Sequence, residues 1–242
     1  MYPLSDGLVH LISTLARRRL RPNELVSLSY CGMRVYFRGL DSDALEEVLF
    51  LQEYAFLESR LRATDRPLVI DVGSHVGTFG IWVLGVNPMS EIVGIEANPA
   101  TYNVALKNIP ADTRIWKIYN LAAYSCSGAR LHMNTDGPSM GHSLSLYGDV
   151  EVASINLRDV IALAGASRRV SLLKIDVEGA EEAFLCANPT ALKNVESLVV
   201  ELHPGRCDAD RVRRMLEAEF DFVHDVSRSA SYKPLLYCYR NH

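Results

Sequence analysis

A chain of 242 residues, 48% hydrophobic and 22% charged, has a globular composition and enough apolar sequence for one substantial core. Its formal net charge of -4 excludes a global positive field and the electrostatic draw to nucleic acid or anionic lipid that goes with one. Five scattered cysteines (Cys31, Cys126, Cys186, Cys207 and Cys238) show no CxxC or Cys/His spacing, which argues against a zinc cage or disulfide framework and suits reduced thiols in a cytoplasmic protein.

At the N-terminus the apolar stretch from Leu8 to Leu15 is too short to span a bilayer. Arg17, Arg18 and Arg19 follow it, whereas a signal peptide carries its basic residues in front. A cytoplasmic protein without a membrane span is therefore expected. LVSLSY and MRVYFRG flank Cys31-Gly32 and predict a β-hairpin. Residues 43–63 are charged and apolar at helical spacing, which predicts one long helix with Asp41 or Ser42 as its cap. From there strands and helices alternate. LVIDVG precedes helix TFGIWVLGV, EIVGIEA precedes helix ATYNVALKNI, and RIWKIYNLA, SLLKIDV and SLVVELH are three further strands. A charged helix, DADRVRRMLEAEF, leads to a last pair, FDFVHDV and LLYCYR, whose link is too short for a helical crossover and makes them antiparallel. Alternation of this kind predicts an open, doubly wound, mostly parallel α/β sheet. Residues 133–150 read as a polar loop of the length usually kept for function. The expected organisation is an N-terminal hairpin and cap helix over 1–64, packed on a main domain over 65–242.

In open α/β sheets ligands bind beyond the carboxyl ends of the strands. The first parallel strand ends at Asp71 and turns through Gly73 and Gly77 into a helix; the second ends at Glu96, about 20 residues on, where a carboxylate can accept ribose hydroxyls. The glycines do not form GxGxxG, and no Lys-Ser/Thr pair opens the helix, so neither a pyrophosphate loop nor a P-loop is present. A nucleoside without phosphates fits better, which points to S-adenosylmethionine rather than NAD. Glycines serving only as structural turns are the plain alternative.

The blocks VIDVGSHVGTFG, IVGIEANPATYNVALKNI, NLAAYSCSG, SLLKIDVEGAEEAFL and SLVVELHP, in that order across residues 47–205, resemble the FkbM-type S-adenosylmethionine-dependent methyltransferases. The resemblance implies a seven-stranded Rossmann-like sheet with an antiparallel last strand, and methyl transfer to a hydroxyl of a sugar or other secondary metabolite. It implies donor-site residues Asp71, Gly73, Ser74, His75, Gly77, Thr78, Glu96, Ala97, Asn98, Ala122 and Asp176. His75 stands where a small amide residue is expected, and Ala97 where proline is common.

Asp176, Glu178 and Glu181 straddle the end of the fourth strand; at a helix start carboxylates also serve simply as caps. Glu201 and His203, two residues apart, project to one side of the fifth strand and converge with Asp176 if the two strands are neighbours. Oxygen alkylation by a sulfonium needs alignment and loss of the hydroxyl proton, so His203 is the expected base, Asp176 and Glu201 its partners, and His142 in the polar loop a reserve. The set Asp176, Glu201 and His203 suits a divalent metal equally, with Mg, Mn and Zn undistinguished. His10, His132, His224 and His242 read as surface or core fillers, and Tyr54 beside Glu53 as either core or a wall of the acceptor side. The acceptor is expected to be a small-molecule hydroxyl, with a homo-oligomer left open. A nucleic-acid or protein methyltransferase and a non-catalytic binding copy are the alternatives; no Asn/Asp-Pro-Pro-Tyr/Phe block for base amines occurs.

Overall fold

The computed structural model describes residues 21–110, 115–134, 143–145, 148–165, 168–228 and 232–241. The hairpin forms as predicted, with β1 (Leu25–Tyr30) antiparallel to β2 (Met33–Arg38). Next come β3 (Leu68–Val72), β4 (Glu91–Glu96) and β5 (Trp116–Asn120), then β6 (Ala122–Ala123), β7 (Arg130–Asn134), β8 (Ser143–Ser145) and β9 (Val150–Ile155). The chain ends with β10 (Leu172–Ile175), β11 (Ser197–Glu201), β12 (Phe222–Asp225) and β13 (Leu235–Tyr239). Seven of these build the central sheet in the order β12-β13-β11-β10-β3-β4-β5, in which only β13 runs antiparallel to its neighbours.

Side chains alternate across this sheet, as the two-residue period of a strand requires. Ile70, Val72, Leu173, Ile175, Leu198 and Val200 join the core on one face, with Phe184 and Leu216 from the covering helices. Val69, Leu172 and Val199 face the other side, where Phe79, Trp82 and Val83 of the helix Thr78–Val86 meet Val35, Phe37, Leu45, Leu49 and Leu57 from the N-terminal region. The hairpin and the segment after it are thus one wall of the second core. Among the described residues no helix is long and apolar enough to cross a membrane; residues 8–15 lie outside them.

Two expectations about elements are corrected. The single helix over 43–63 is broken. A first turn, Ser42–Leu45, widens into a π-helical turn over Glu46–Phe50, where Leu51 N–H donates to Glu46 O at 2.8 Å. Gln52 then takes φ +53°, and the chain restarts in Ala55–Leu57 and Glu58–Ala63. Helical periodicity survives such a break because each piece keeps its apolar face inward. Asp41 does not cap the first turn, since its buried carboxylate accepts from Arg38 Nε at 2.8 Å and Nη2 at 2.9 Å.

The second correction concerns residues 133–150, read as a loop. Their described part belongs to a four-stranded sheet, β6-β9-β7-β8, standing beside the carboxyl end of the main sheet. These strands have one wet face, so their apolar residues are few and their signal is weak. The helix that follows, Leu157–Leu163, is capped by Asn156, whose side chain accepts from Asp159 N–H at 3.0 Å.

Candidate functional site

Four neighbouring parallel strands, β11, β10, β3 and β4, end at Glu201, Ile175, Val72 and Glu96, and a cleft opens over these ends. On its donor side Gly73 has φ +80°, and both Gly73 N–H and Ser74 N–H donate to Ile95 O at 2.9 Å. A Cβ at Gly73 would lie 1.7 Å from the backbone oxygen of Asp176, so the turn closes only because that position has no side chain. Gly77, at φ +87°, serves a different neighbour. A Cβ there would lie 2.9 Å from the buried Trp116 ring, so this glycine admits an indole rather than a ligand, although helix and strand do pack closely as expected.

Glu96 is buried at the end of β4 and lines the cleft. Its Oε2 accepts from His75 N–H and its Oε1 from Asn98 N–H, each at 2.8 Å. Burial outweighs these bonds and pushes its pKa up to about 7. Ser74, His75, Thr78, Ala97, Ala122 and Asp176 also line the cleft. Asp71 and Asn98 do not. Asn98 caps the helix Pro99–Asn108 by accepting from Ala100 N–H at 2.8 Å. Asp71 is wholly buried beneath the turn, 3.3 Å from Lys174 Nζ. That ammonium also donates to Gly73 O at 2.8 Å and lies 3.9 Å from Asp176 Oδ2, tying the donor turn to the acceptor side. Burial drives the Lys174 pKa down, but Asp71 and Asp176 outweigh it and the net shift is upward. His75, at φ +53°, places Nε2 3.5 Å from Asp41 Oδ1 and so joins the turn to the N-terminal segment.

The opposite side of the cleft is acidic. Glu47 and Glu53 lie six residues apart, about 240° around a continuous helix and so on different faces. The π-turn and the kink at Gln52 bring both to the cleft, beside Asp176 and Glu201. Burial and Glu53 raise the Glu47 pKa to about 7, and burial and Glu201 raise that of Asp176 to about 7. Tyr54 does both things proposed for it: it lines the cleft and packs edge-on against Phe79 at 4.8 Å.

β10 and β11 are neighbours, and Asp176, Glu201 and His203 do converge. His203, however, is buried behind the cleft wall. Burial alone would lower its pKa, but Glu178, Glu181 and Glu201 override that and push it up to about 12. His203 does not line the cleft, and its Nε2 faces Glu178, Glu201 and Asp176 instead, so the ring does not lie where a free general base was expected. His142 lies outside the described residues. His224, expected as a surface or core filler, is exposed and stacks beside Phe222 and Tyr239. The sequence reading missed Glu47, hidden in a pattern that fits an unbroken helix, and the pairing of Glu181 with His203. Lys174 lies within the block SLLKIDVEGAEEAFL, but nothing in the sequence pattern marks its role.

The Methyltransferase FkbM domain matches residues 71–234, which contain both ends of this cleft except the walls supplied by residues 44–54. The chain belongs to the FkbM methyltransferase family. "Methyltransferase 1" of Beauveria bassiana is 24% identical over 204 residues, covering 72% of this chain and 80% of that protein. "Hexuronic acid methyltransferase AglP" of Haloferax volcanii is 25% identical over 159 residues, covering 65% of this chain and 64% of that protein. Among solved structures, human Methyltransferase-like protein 13 in complex with SAH superposes with a TM-score of 0.50 at 16% identity, covering 76% of each chain. Human methyltransferase 10 domain containing protein gives 0.51 at 10% identity over 98% of this chain and 97% of that one. These last two show a shared fold.

The protein is a methyltransferase of the FkbM family. Its glycine-turn end fits S-adenosylmethionine, the donor that the sequence resemblance implies. The Gly73 turn leaves backbone, not side chain, at the cleft edge, and Glu96, buried in the cleft wall, is the residue that would accept the ribose hydroxyls. Once bound, the cofactor supplies an electrophilic methyl group on a sulfonium.

Proposed function

We propose that this methyltransferase acts on a hydroxyl oxygen of a small, polyhydroxylated molecule of the sugar class. The observation that carries the reading is the acceptor wall. Glu47, Glu53, Asp176 and Glu201 all line the cleft next to the donor turn, and carboxylate oxygens accept hydroxyl hydrogen bonds. Similarity to a hexuronic acid methyltransferase supports the sugar class. Asp176 and Glu201, at the ends of adjacent strands, orient the reacting hydroxyl. The carboxylates of the acidic wall would take up the hydroxyl proton as that oxygen receives the methyl group supplied by the bound cofactor. Glu47, Glu53 and Tyr54 close the far side.

The test is incubation with S-adenosylmethionine and a panel of neutral sugars, hexuronic acids, metabolite phenols, amines and RNA, read by mass spectrometry. Gain of one methyl group on a sugar hydroxyl, lost in Asp176→Asn while cofactor affinity stays within a few-fold, is expected. Methylation confined to amines, RNA or phenols would overturn the reading.

A further inference from the structure

Behind the acceptor wall, the turns after β10 and β11 bring four donor atoms around one point. The His203 ring is 4% exposed and held from behind, with Nδ1 2.7 Å from Glu181 Oε1. Its Nε2 faces Glu178 Oε1 at 3.1 Å, Glu201 Oε1 at 3.3 Å and Asp176 Oδ1 at 4.0 Å. One ligand atom from each of these four residues lies within 4.8 Å of the others. Yet neither Nε2 nor Asp176 Oδ1 has an aligned hydrogen bond among the described residues. A histidine serving as a simple donor aims its N–H at one acceptor; this one aims between three.

The spacing is that of a coordination shell. With bonds of about 2.1 Å, adjacent donors of an octahedral ion stand about 3.0 Å apart and opposed donors about 4.2 Å. The separations from Nε2, 3.1, 3.3 and 4.0 Å, fall in that range, and the whole set, within 4.8 Å, needs only a small closure to reach it. Glu181 on the remote ring nitrogen is the partner that orients a ligating imidazole. Charge agrees as well. Asp176, Glu178, Glu181 and Glu201 bring four negative charges. Lys233, 3.2 Å from Glu178 and 3.0 Å from Glu201, and Arg206, 2.9 Å from Glu178, return two. Lys174 is matched by Asp71. The remainder equals one divalent cation when the imidazole is neutral.

We propose that Asp176, Glu178, Glu201 and His203 bind one divalent cation, with Glu181 positioning the imidazole. Three carboxylates and one imidazole favour an oxygen-preferring ion that tolerates nitrogen, Mn²⁺ or Mg²⁺. Because Asp176 also lines the cleft, the ion adjoins the acceptor end and makes a nearby hydroxyl more acidic. Only this chemical consequence rests on the hydroxyl-methylation reading; cation binding does not.

The competing arrangement closes the cluster with the Lys233 ammonium and a protonated His203. The experiment uses the full chain stripped with EDTA, dialysed and titrated with MnCl₂, followed by loss of the free-Mn²⁺ electron paramagnetic resonance signal and by calorimetry. One Mn²⁺ per chain is expected. His203→Ala and Glu201→Gln should each weaken binding at least tenfold, and Glu181→Gln by roughly 10–100-fold. Wild-type protein that takes up no Mn²⁺ at millimolar concentration overturns the proposal, as do variants that bind like wild type. Mn²⁺ uptake that appears only in Lys233→Met also overturns it, in favour of the ammonium-closed cluster. Should His203→Ala fail to fold, the wild-type and Glu201→Gln titrations decide. Mn²⁺ binding without sugar methylation sinks the acceptor reading alone; methylation without Mn²⁺ binding sinks the metal alone.

Discussion

Glu96 is a carboxylate whose working form is the less comfortable one. In the role proposed for Glu96, ribose hydroxyls would donate to the ionised group, whereas burial raises its pKa to about 7. Donor affinity should therefore fall as pH drops below about 7, by up to tenfold per unit, and Glu96→Gln should flatten that profile; calorimetry between pH 5.5 and 8.5 measures it. In the free protein the sign is reversed. Between its ordinary 4.5 and the raised value the native state holds the extra proton, so the stabilisation this group gives is present below pH 4.5 and lost as pH rises through about 7. Glu96→Ala should weaken cofactor binding at least tenfold at pH 8, about 1.4 kcal/mol, and unchanged affinity would refute its role. Gly73→Ala meets both a left-handed φ and a backbone oxygen, and should lose about 3 kcal/mol or more in urea unfolding. Gly128→Ala, at φ +79° with nothing within 4 Å of the added Cβ, should lose only about 1–2 kcal/mol. Such residues differ in legibility. Gly73 and Glu96 could be read because they sit at strand ends with defined spacing. Glu47 could not, because the turn that aims it is set by tertiary packing and not by any residue type in the sequence.

The strands of the main sheet were legible as elements because they are buried on both faces and read as continuous apolar runs, LVIDV and SLLKI among them. The small sheet was not, since RLHMN and VEVASI alternate against water and carry charges. The N-terminal segment read as a helix because periodicity reports which side is buried, and the kink at Gln52 leaves that unchanged. Leu49, 2% exposed within this segment, packs into the core shared with Phe79 and Trp82. Leu49→Ala should cost about 2–5 kcal/mol by denaturant titration. A chain beginning at Asp65 would leave that core open to water, and should melt well below the full protein or precipitate. Retention of the full melting temperature and activity would show that residues 1–64 are an independent addition.

At the scale of the molecule, the two cores lie on opposite faces of one sheet, so neither can dissolve without exposing the strands that the other covers. Unfolding of the ligand-free protein should be a single calorimetric transition with equal van't Hoff and calorimetric enthalpies. Two resolved transitions would mean that the N-terminal wall melts on its own.

The cleft is lined from two separate stretches of chain. Its donor half, with Asp176 and Glu201 of the acidic wall, comes from strand ends within 71–234, while Ala44, Glu47, Val48, Glu53 and Tyr54 complete the wall from a segment N-terminal to the matched family domain. On the proposed reading, changes at the cleft-lining positions between residues 44 and 54 should alter what is methylated more than they disturb cofactor binding. Exchanging that segment with the equivalent one from a relative should redirect acceptor choice at nearly constant cofactor affinity, which competition assays on mixed sugar pools would reveal.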